Sequence, residues 1–382
     1  GLVLDYNGVS MYNSVINKGM VKYHKDLDSI GISAVHRIYS FDNRTALEAL
    51  ANVRYYMIRK EFTQNLPYGF SKYKDYSTET NEYTIYKNDY PLSIGYTYDK
   101  YIDNEEYEKL SAIEKQQVML EAAVLDTKNV KSLAKEDTRS VSDKIKYGTV
   151  TVKSKDGVVV KTDRIRSKKE ESTLTLSYEK KKGYEAYLML DGVITKKPRI
   201  KAKISTDNME KNIVLRNNDL TYALGRDSYL INLGYSDTSE SEDVTFTIPI
   251  EAKINYSDVK VCYVPMDDYV SQIEERNEES LQNVLTDKNN EVSGNVTLSS
   301  DKVMVFSIPY SSGWKAYVDG KETSVFRANT MYMGINMTKG SHKVVLRYNS
   351  PGLHLGMMAS AAGIIIWILL AVASKKKKQK GR

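Results

Sequence analysis

The sequence predicts an α+β protein that is mainly β: an N-terminal mixed α/β region, one or two β-sandwich or jelly-roll-like domains, and one C-terminal transmembrane helix. Three observations carry that expectation. The 382 residues include 30 tyrosines against 6 phenylalanines and 2 tryptophans, and tyrosine favours strands with one wet face. Beyond residue 146, short segments alternate apolar and polar residues between turn signals, the period of half-buried strands. Near the C-terminus, Leu353 to Ala373 is a 21-residue stretch without a full charge.

Residues 1–137 read as the mixed α/β region. In "SVINKGMVKYHKDLDSIGI", Val15, Ile16, Met20, Tyr23, Leu27 and Ile30 are spaced like one face of a helix. "NRTALEALANV" reads as a short helix that runs into the strand "RYYMI"; "YTIYKN" and "LSIGYTY" read as further strands. "LSAIEKQQVMLEAAVL" is the clearest helix. Its Ser111 and Glu114 have capping-box spacing, in which each side chain satisfies an orphan backbone N–H at the helix start. The polar stretch 126–144 lacks a sustained apolar period and is expected to be a linker.

Residues 138–265 are expected to form a β-sandwich-like domain, with turns at Asp156-Gly157 and Asp191-Gly192. Residues 266–350 are expected to form a membrane-proximal β domain. It opens with a helix over 267–285, whose apolar positions are Tyr269, Ile273, Leu281 and Val284. In "YSSGWKAYVDGKET", Asp319-Gly320 signals a two-residue hairpin turn. Trp314, Ala316 and Val318 fall on one strand face, toward the core; Lys315 and Tyr317 fall on the other. Gly313, Trp314, Asp319 and Gly320 are thus a structural signature, and Tyr317 is the candidate sugar contact.

Residues 351–374 are the expected transmembrane helix, which would span ~31 Å. The basic tail 375–382 follows it, and a lysine cluster directly after an apolar span stays in the cytoplasm. That tail carries five lysines and one arginine, the whole of the net charge of +6; the remaining 49 basic and 49 acidic residues balance. The expected localisation is a bacterial cell membrane, with residues 1 to about 350 extracytoplasmic and a cytoplasmic C-terminus. A balanced body gives no electrostatic support to nucleic-acid binding. No leader follows Gly1, so the simplest expectation is the C-terminal part of a larger membrane protein.

Motifs for chemistry are sparse. Cys262 is the one cysteine, which excludes an internal disulfide and a multi-cysteine zinc site. His24, His36, His342 and His354 have no metal-ligand spacing, and no metal or cofactor is expected. Asp26-Leu27-Asp28 spells D-x-D, a metal-holding motif of sugar-nucleotide transferases, but lies in a helix-patterned stretch.

The stretches "FSIPYSSGWKAYVDGKETSVF" and "MGINMTKGSHKVVLRYNSPGLHLGMMAS", with the helix after them, resemble the YfhO family of bacterial multi-spanning membrane proteins. "DYNGVSMYNSVINKGMVKYHKDLDSIGI", "FDNRTALEALANVRYYMI", "LPYGF" and "YTIYKNDYPLSIGYTY" resemble it at the other end. The resemblance implies a glycosyltransferase of the GT-C type, which transfers sugar from a polyprenyl-phosphate carrier to a surface polymer such as teichoic acid. In that class the catalytic acidic residue lies on an early external loop, absent here. No catalytic residue is therefore carried over, and the chain alone is expected to be inactive. Its expected partners are the lipid bilayer and, through the full-length protein, the polyprenyl-linked sugar and the glycopolymer. Tyr6, Gly8, Ser10 and Ser14, at the membrane exit, are the expected substrate-binding residues. The alternative is a non-catalytic structural or protein-interaction ectodomain of the envelope.

Overall fold

The computed structural model describes residues 8–12, 17–62, 64–217, 219, 224–286 and 290–380, with backbone only for 374–380. Among these residues the structure is mainly β. Seven helices accompany the strands: α1 (Lys18–Asp26), α2 (Thr45–Leu50), α3 (Asn104–Lys109), α4 (Ala112–Glu121), α5 (Arg139–Lys144), α6 (Tyr269–Glu278) and α7 (Leu353–Lys380).

Two pairs of sheets bracket a helical core. In the first pair, the inner sheet is antiparallel in the order Lys146–Thr149, Asp258–Pro265, Tyr184–Asp191, Tyr229–Ser236. The outer sheet has the order Thr151–Asp156, Ser172–Glu179, Ser241–Ile248, Arg199–Thr206, Met209–Arg216. Leu188, Ile231 and Val261 of the inner sheet share one core with Ile200, Ile204 and Val244 of the outer. Outer strands such as "STLTLSYE" and "MEKNIVLR" alternate buried and open positions, because only one of their faces is covered. The inner strands Tyr184–Asp191 and Tyr229–Ser236 are buried on both faces, whereas the edge strand Lys146–Thr149 is largely exposed. Tyr187, Leu230, Cys262 and Val264 turn away from the outer sheet into a second core, built with α1, α2, α4 and α6.

The second pair repeats this design. Its outer sheet has the order Gln282–Leu285, Glu291–Leu298, Gly340–Tyr348, Trp314–Val318, Lys321–Thr323. Its inner sheet has the order Phe326–Ala328, Tyr332–Met337, Lys302–Pro309, Gly95–Tyr98, so an N-terminal strand completes a C-terminal sheet. Met304, Phe306, Met333 and Ile335 face the outer sheet, whereas Val303, Val305 and Tyr332 enter the helical core.

Local signals act as the sequence predicts at several points. Ser111 Oγ accepts the Glu114 N–H, and Glu114 Oε2 accepts the Ser111 N–H at 2.8 Å, closing the capping box of α4. Asp319 and Gly320 take left-handed φ values of 51° and 80°, as a two-residue turn requires. Two elements differ. The helix expected over 267–285 ends at Glu278, because Leu281 and Val284 pack into the core of the second sheet pair and Gln282–Leu285 forms a strand. The polar stretch 126–144 is no bare linker: Ala134–Lys135 pairs in parallel with Lys100–Tyr101, and α5 buries Val141.

The start of α1 meets the second sheet pair. Asn17, the N-cap of α1, donates its side-chain amide to the Tyr310 carbonyl. Three residues on, Gly313 lies under the Asn349 carbonyl, the Tyr348 ring and Pro351, where a Cβ would sit 2.4 Å from the carbonyl oxygen. α7 starts at Leu353, directly after this knuckle, and its span Leu353–Ala373 is not buried against the protein.

Trp314 is half-buried, its ring 5.2 Å from Tyr348, while Ala316 behind it is fully buried. Replacement of Trp314 by alanine should therefore cost about 2 kcal/mol, less than a fully buried tryptophan would. A thermal melt of the intact protein checks this; an unchanged melting temperature would refute the packing role.

Candidate functional site

The loop before α2 organises the interior. In "SFDNRTA", Asp42 and Asn43 both adopt left-handed backbone, φ 61° and 56°, which Asp and Asn tolerate better than other side chains. The turn drives Asp42, Asn43, Arg44 and Thr45 inward, and all four are buried. Arg44 donates to the Leu27 carbonyl at 2.7 Å and to the Leu230 carbonyl, tying the C-terminal end of α1 to the inner sheet of the first pair. The Asp42 carboxylate accepts the Asn232 N–H at 2.8 Å and pairs with the Lys211 ammonium at 2.9 Å. Glu185 accepts from Thr45 Oγ1 at 2.8 Å, Asn232 Nδ2 at 3.1 Å and the Tyr187 hydroxyl at 2.5 Å. Tyr187 in turn accepts from Gln116 of α4 at 2.8 Å.

The carboxylates and the ammonium of this network are paired internally, as buried charges require, while Arg44 Nε and Gln116 Oε1 find no hydrogen-bond partner among the described residues. Asp42 and Glu185 are held by internal donors, so neither presents a free carboxylate for catalysis. Burial raises the pKa of Glu185 and lowers that of Lys211.

The network does reach the surface. Asp42, Asn43 and Lys211 border a polar groove of about 510 Å³ between the Ile30–Asn43 segment and the edge strand Met209–Arg216. Tyr39 stands on one side; Arg199, Lys201, Glu210 and Asn212 stand on the other. Arg199 and Lys201 are exposed, and among the described residues neither has a carboxylate partner within ion-pair distance. Buried Arg226 donates to the carbonyls of Ser29 and Ile32, and its Nε has no partner.

The residues predicted from sequence separate into two places. Gly8 and Ser10 are exposed beside Met11–Tyr12, which pairs with Arg37–Ile38. The Arg37 guanidinium lies 6.0 Å from the Tyr12 ring centre and 4.9 Å from that of Tyr39, so this N-terminal stretch adjoins the groove rim. Tyr6 and Ser14 lie outside the described residues. Tyr317 belongs to the outer sheet of the second pair, beneath Arg347 at 5.5 Å, and does not line the groove.

The D-x-D carboxylates do not converge on a metal. Asp26 pairs with Lys22 at 2.6 Å, Asp28 ends α1 in left-handed backbone, and Leu27 between them is buried. Among the described residues, no group of three His, Cys, Asp or Glu side chains is placed to hold a metal. His24 stacks on Phe41 at 5.4 Å, and burial holds its pKa down to about 3, so it is neutral.

Sequence reasoning missed the Asp42–Lys211–Asn232–Glu185 network. One signal was available: Lys211 occupies an inward position between Met209 and Ile213, where the strand pattern calls for an apolar side chain.

An apolar anchor helix attached to a large β-rich body defines the class as a membrane protein. More narrowly, the chain belongs to the family described as "Bacterial membrane protein YfhO", whose model matches residues 1–360. The "Uncharacterized protein YfhO" of Bacillus subtilis (strain 168) is 24% identical over 402 residues, covering 100% of this chain and 42% of that protein. The chain therefore spans less than half of that relative's length. Among solved structures, a mutant arabinofuranosyltransferase AftD from Mycobacteria aligns at 16% identity, covering 47% of this chain and 14% of that one, with a TM-score of 0.21. The CBM22 tandem domain of Paenibacillus barcinonensis Xyn10C aligns at 10% identity, covering 55% of this chain and 86% of that one, also with a TM-score of 0.21. At such scores neither structural likeness carries an argument.

Beside the network, Glu48 is fully buried and receives the Tyr56 hydroxyl. Burial pushes Glu48 up to about 8 from 4.5, outweighing the opposing hydrogen bond. Between those pH values the folded state keeps a proton that the unfolded state has released, so stability should fall as pH rises from 4.5 to 8. Glu48→Gln should flatten that fall. Melting curves across this range check it; equal pH dependence in both proteins would refute it.

Proposed function

We propose that this chain is the extracytoplasmic region and last membrane helix of a GT-C-type glycosyltransferase. The whole protein would transfer sugar from a polyprenyl-phosphate donor to a cell-envelope polymer of the teichoic-acid kind, and this region would hold the acceptor. The observation that carries the reading is the groove: a concave, polar cleft with an aromatic rim and, on its wall, two cations that have no ion-pair partner among the described residues.

Each side chain has a role in that reading. Tyr39 offers a ring face to a sugar, Arg199 and Lys201 attract the phosphates of a polymer backbone, and Glu210 and Asn212 order hydroxyls. The buried network beneath fixes the groove floor and supplies no base. Activation of the acceptor hydroxyl belongs to a carboxylate elsewhere in the full-length protein. The lysines after Ala373 support a cytoplasmic C-terminus, which leaves the β-rich body outside. The contact of Asn17 with Tyr310, three residues before Gly313 of the knuckle, supports placing the start of α1 near the membrane helix.

The test is complementation. A strain lacking the full-length protein should lose one sugar substituent from its envelope polymer, read by NMR of the extracted polymer. The Arg199→Glu/Lys201→Glu protein, present at normal level, should restore roughly a tenth of it or less. Unchanged polymer in the deletion strain, or full restoration by the double variant, would overturn the reading.

A further inference from the structure

The three-stranded sheet of Tyr55–Arg59, Glu82–Asn88 and Phe70–Ser77 has one face partly covered along Tyr55–Arg59 and Glu82–Asn88 and one open face, while Phe70–Ser77 is exposed at every position after Phe70. Tyr56 and Ile58 point to the covered side, where Tyr56 meets Phe70 and Glu48. The strand register places Tyr55 opposite Lys87, Met57 opposite Ile85, and Arg59 opposite Tyr83. It likewise places Tyr76 opposite Tyr83 and Lys74 opposite Ile85. Directly opposed residues share a face, so all of these belong to the open side.

That face is unusual in two respects. Tyr55, Met57, Tyr73 and Tyr76 are 53%, 58%, 55% and 49% exposed, an apolar surface that nothing in the body covers. Its rings come in pairs: Tyr55 and Tyr73 at 5.9 Å, Tyr76 and Tyr83 at 6.4 Å. The charged residues at its paired strand positions, Arg59, Lys74 and Lys87, are all cations, of which Arg59 pairs with Glu61 at 3.3 Å; the sheet's acidic strand positions, Asp75 and Glu82, fall on the other side. Finally, the loop after Arg59 sends Gln64 into the groove, so the sheet and the groove are joined by a few residues of chain.

We propose that this open face is a second binding platform, which takes an anionic saccharide polymer by stacking sugar rings on the paired tyrosines. Lys74 and Lys87, which have no ion-pair partner among the described residues, neutralise its acidic groups. The tyrosine hydroxyls at the ring edges suit a hydroxyl-rich ligand, and the absence of carboxylates from the paired positions favours a negatively charged one. Continuity through Gln64 allows one extended chain to occupy platform and groove together, with the affinity gain of linked sites. The proposal rests on the acceptor-holding reading of the groove, yet its test is separate.

Detergent-solubilised full-length protein is passed over immobilised dextran sulfate and neutral dextran of matched length. Wild type should bind dextran sulfate, and Tyr55→Ala/Tyr73→Ala/Tyr76→Ala, with every cation retained, should weaken binding roughly tenfold at an unchanged melting temperature. Arg199→Glu/Lys201→Glu should leave much of the binding in place, which separates this platform from the groove. Equal binding by wild type and the tyrosine variant would overturn the proposal. So would a tyrosine-dependent flotation with phosphatidylglycerol vesicles without any effect on dextran sulfate, because the face would then meet lipid.

Discussion

Arg44 is the charge around which the fold closes. It has no exposed surface, and an unpaired guanidinium in such a place would cost several kilocalories per mole. The structure offsets that cost with two backbone carbonyls from different units, Leu27 at the end of α1 and Leu230 in the inner sheet, and with the nearby Asp42 carboxylate. Meeting those partners fixes where the Asp42–Asn43 turn lies. The turn in turn sets Lys211 and Asn232, and Asn232 sets Glu185. Each group is satisfied only while the others stay in place, so the junction tolerates few alternative packings. The specificity is that of a polar lock, and the apolar cores around it supply the bulk of the stability.

The lock sits where it does because both inner sheets are two-sided. A sheet with a core on each face has no solvent side, and its strands lose the alternation that marks an outer strand. "YEAYLMLD" and "KVMVFSIP" show this, whereas "STLTLSYE" and "MEKNIVLR" alternate as outer strands do. The helical core between the inner sheets is therefore a shared wall. Three of its helices, α1, α2 and α4, come from the first part of the chain, which also donates the strand Gly95–Tyr98 to the second sheet pair; α6 joins them from further along.

Much of this was legible in the sequence wherever the signal is local. The capping box at Ser111, the Asp319-Gly320 turn, the outer-strand alternation and the apolar run of α7 each rest on a few neighbouring residues. The end of α6 was not legible. Leu281 and Val284 keep helical spacing with Tyr269 and Ile273, but a distant sheet claims them. None of the residues that line the candidate groove was legible in the sequence as a site. Tyr39 and Arg199 lie 160 positions apart and face one groove because the Arg44 lock brings the Ile30–Asn43 segment against an edge strand. No spacing rule within a single segment encodes that distance. Lys211 alone broke its local pattern, and so pointed to a buried partner without naming it.

Burial also divides the ionisable groups into two populations. Asp42, Glu185 and Lys211 lie inside and spend their hydrogen-bonding capacity on the fold. Arg199 and Lys201 on the groove, like Lys87 on the tyrosine sheet, lie outside without ion-pair partners among the described residues. A group locked into the interior can shape a surface but cannot follow a reacting atom, since its movement would leave a buried charge unpaired. An exposed, unpaired cation can reorient toward a ligand at little cost beyond its own side-chain entropy. The body is accordingly built with rigid chemistry below and adaptable chemistry above. For the acceptor-holding role proposed above, that division places the adaptable groups where a polymer would lie and leaves the buried ones to fix the surface beneath it.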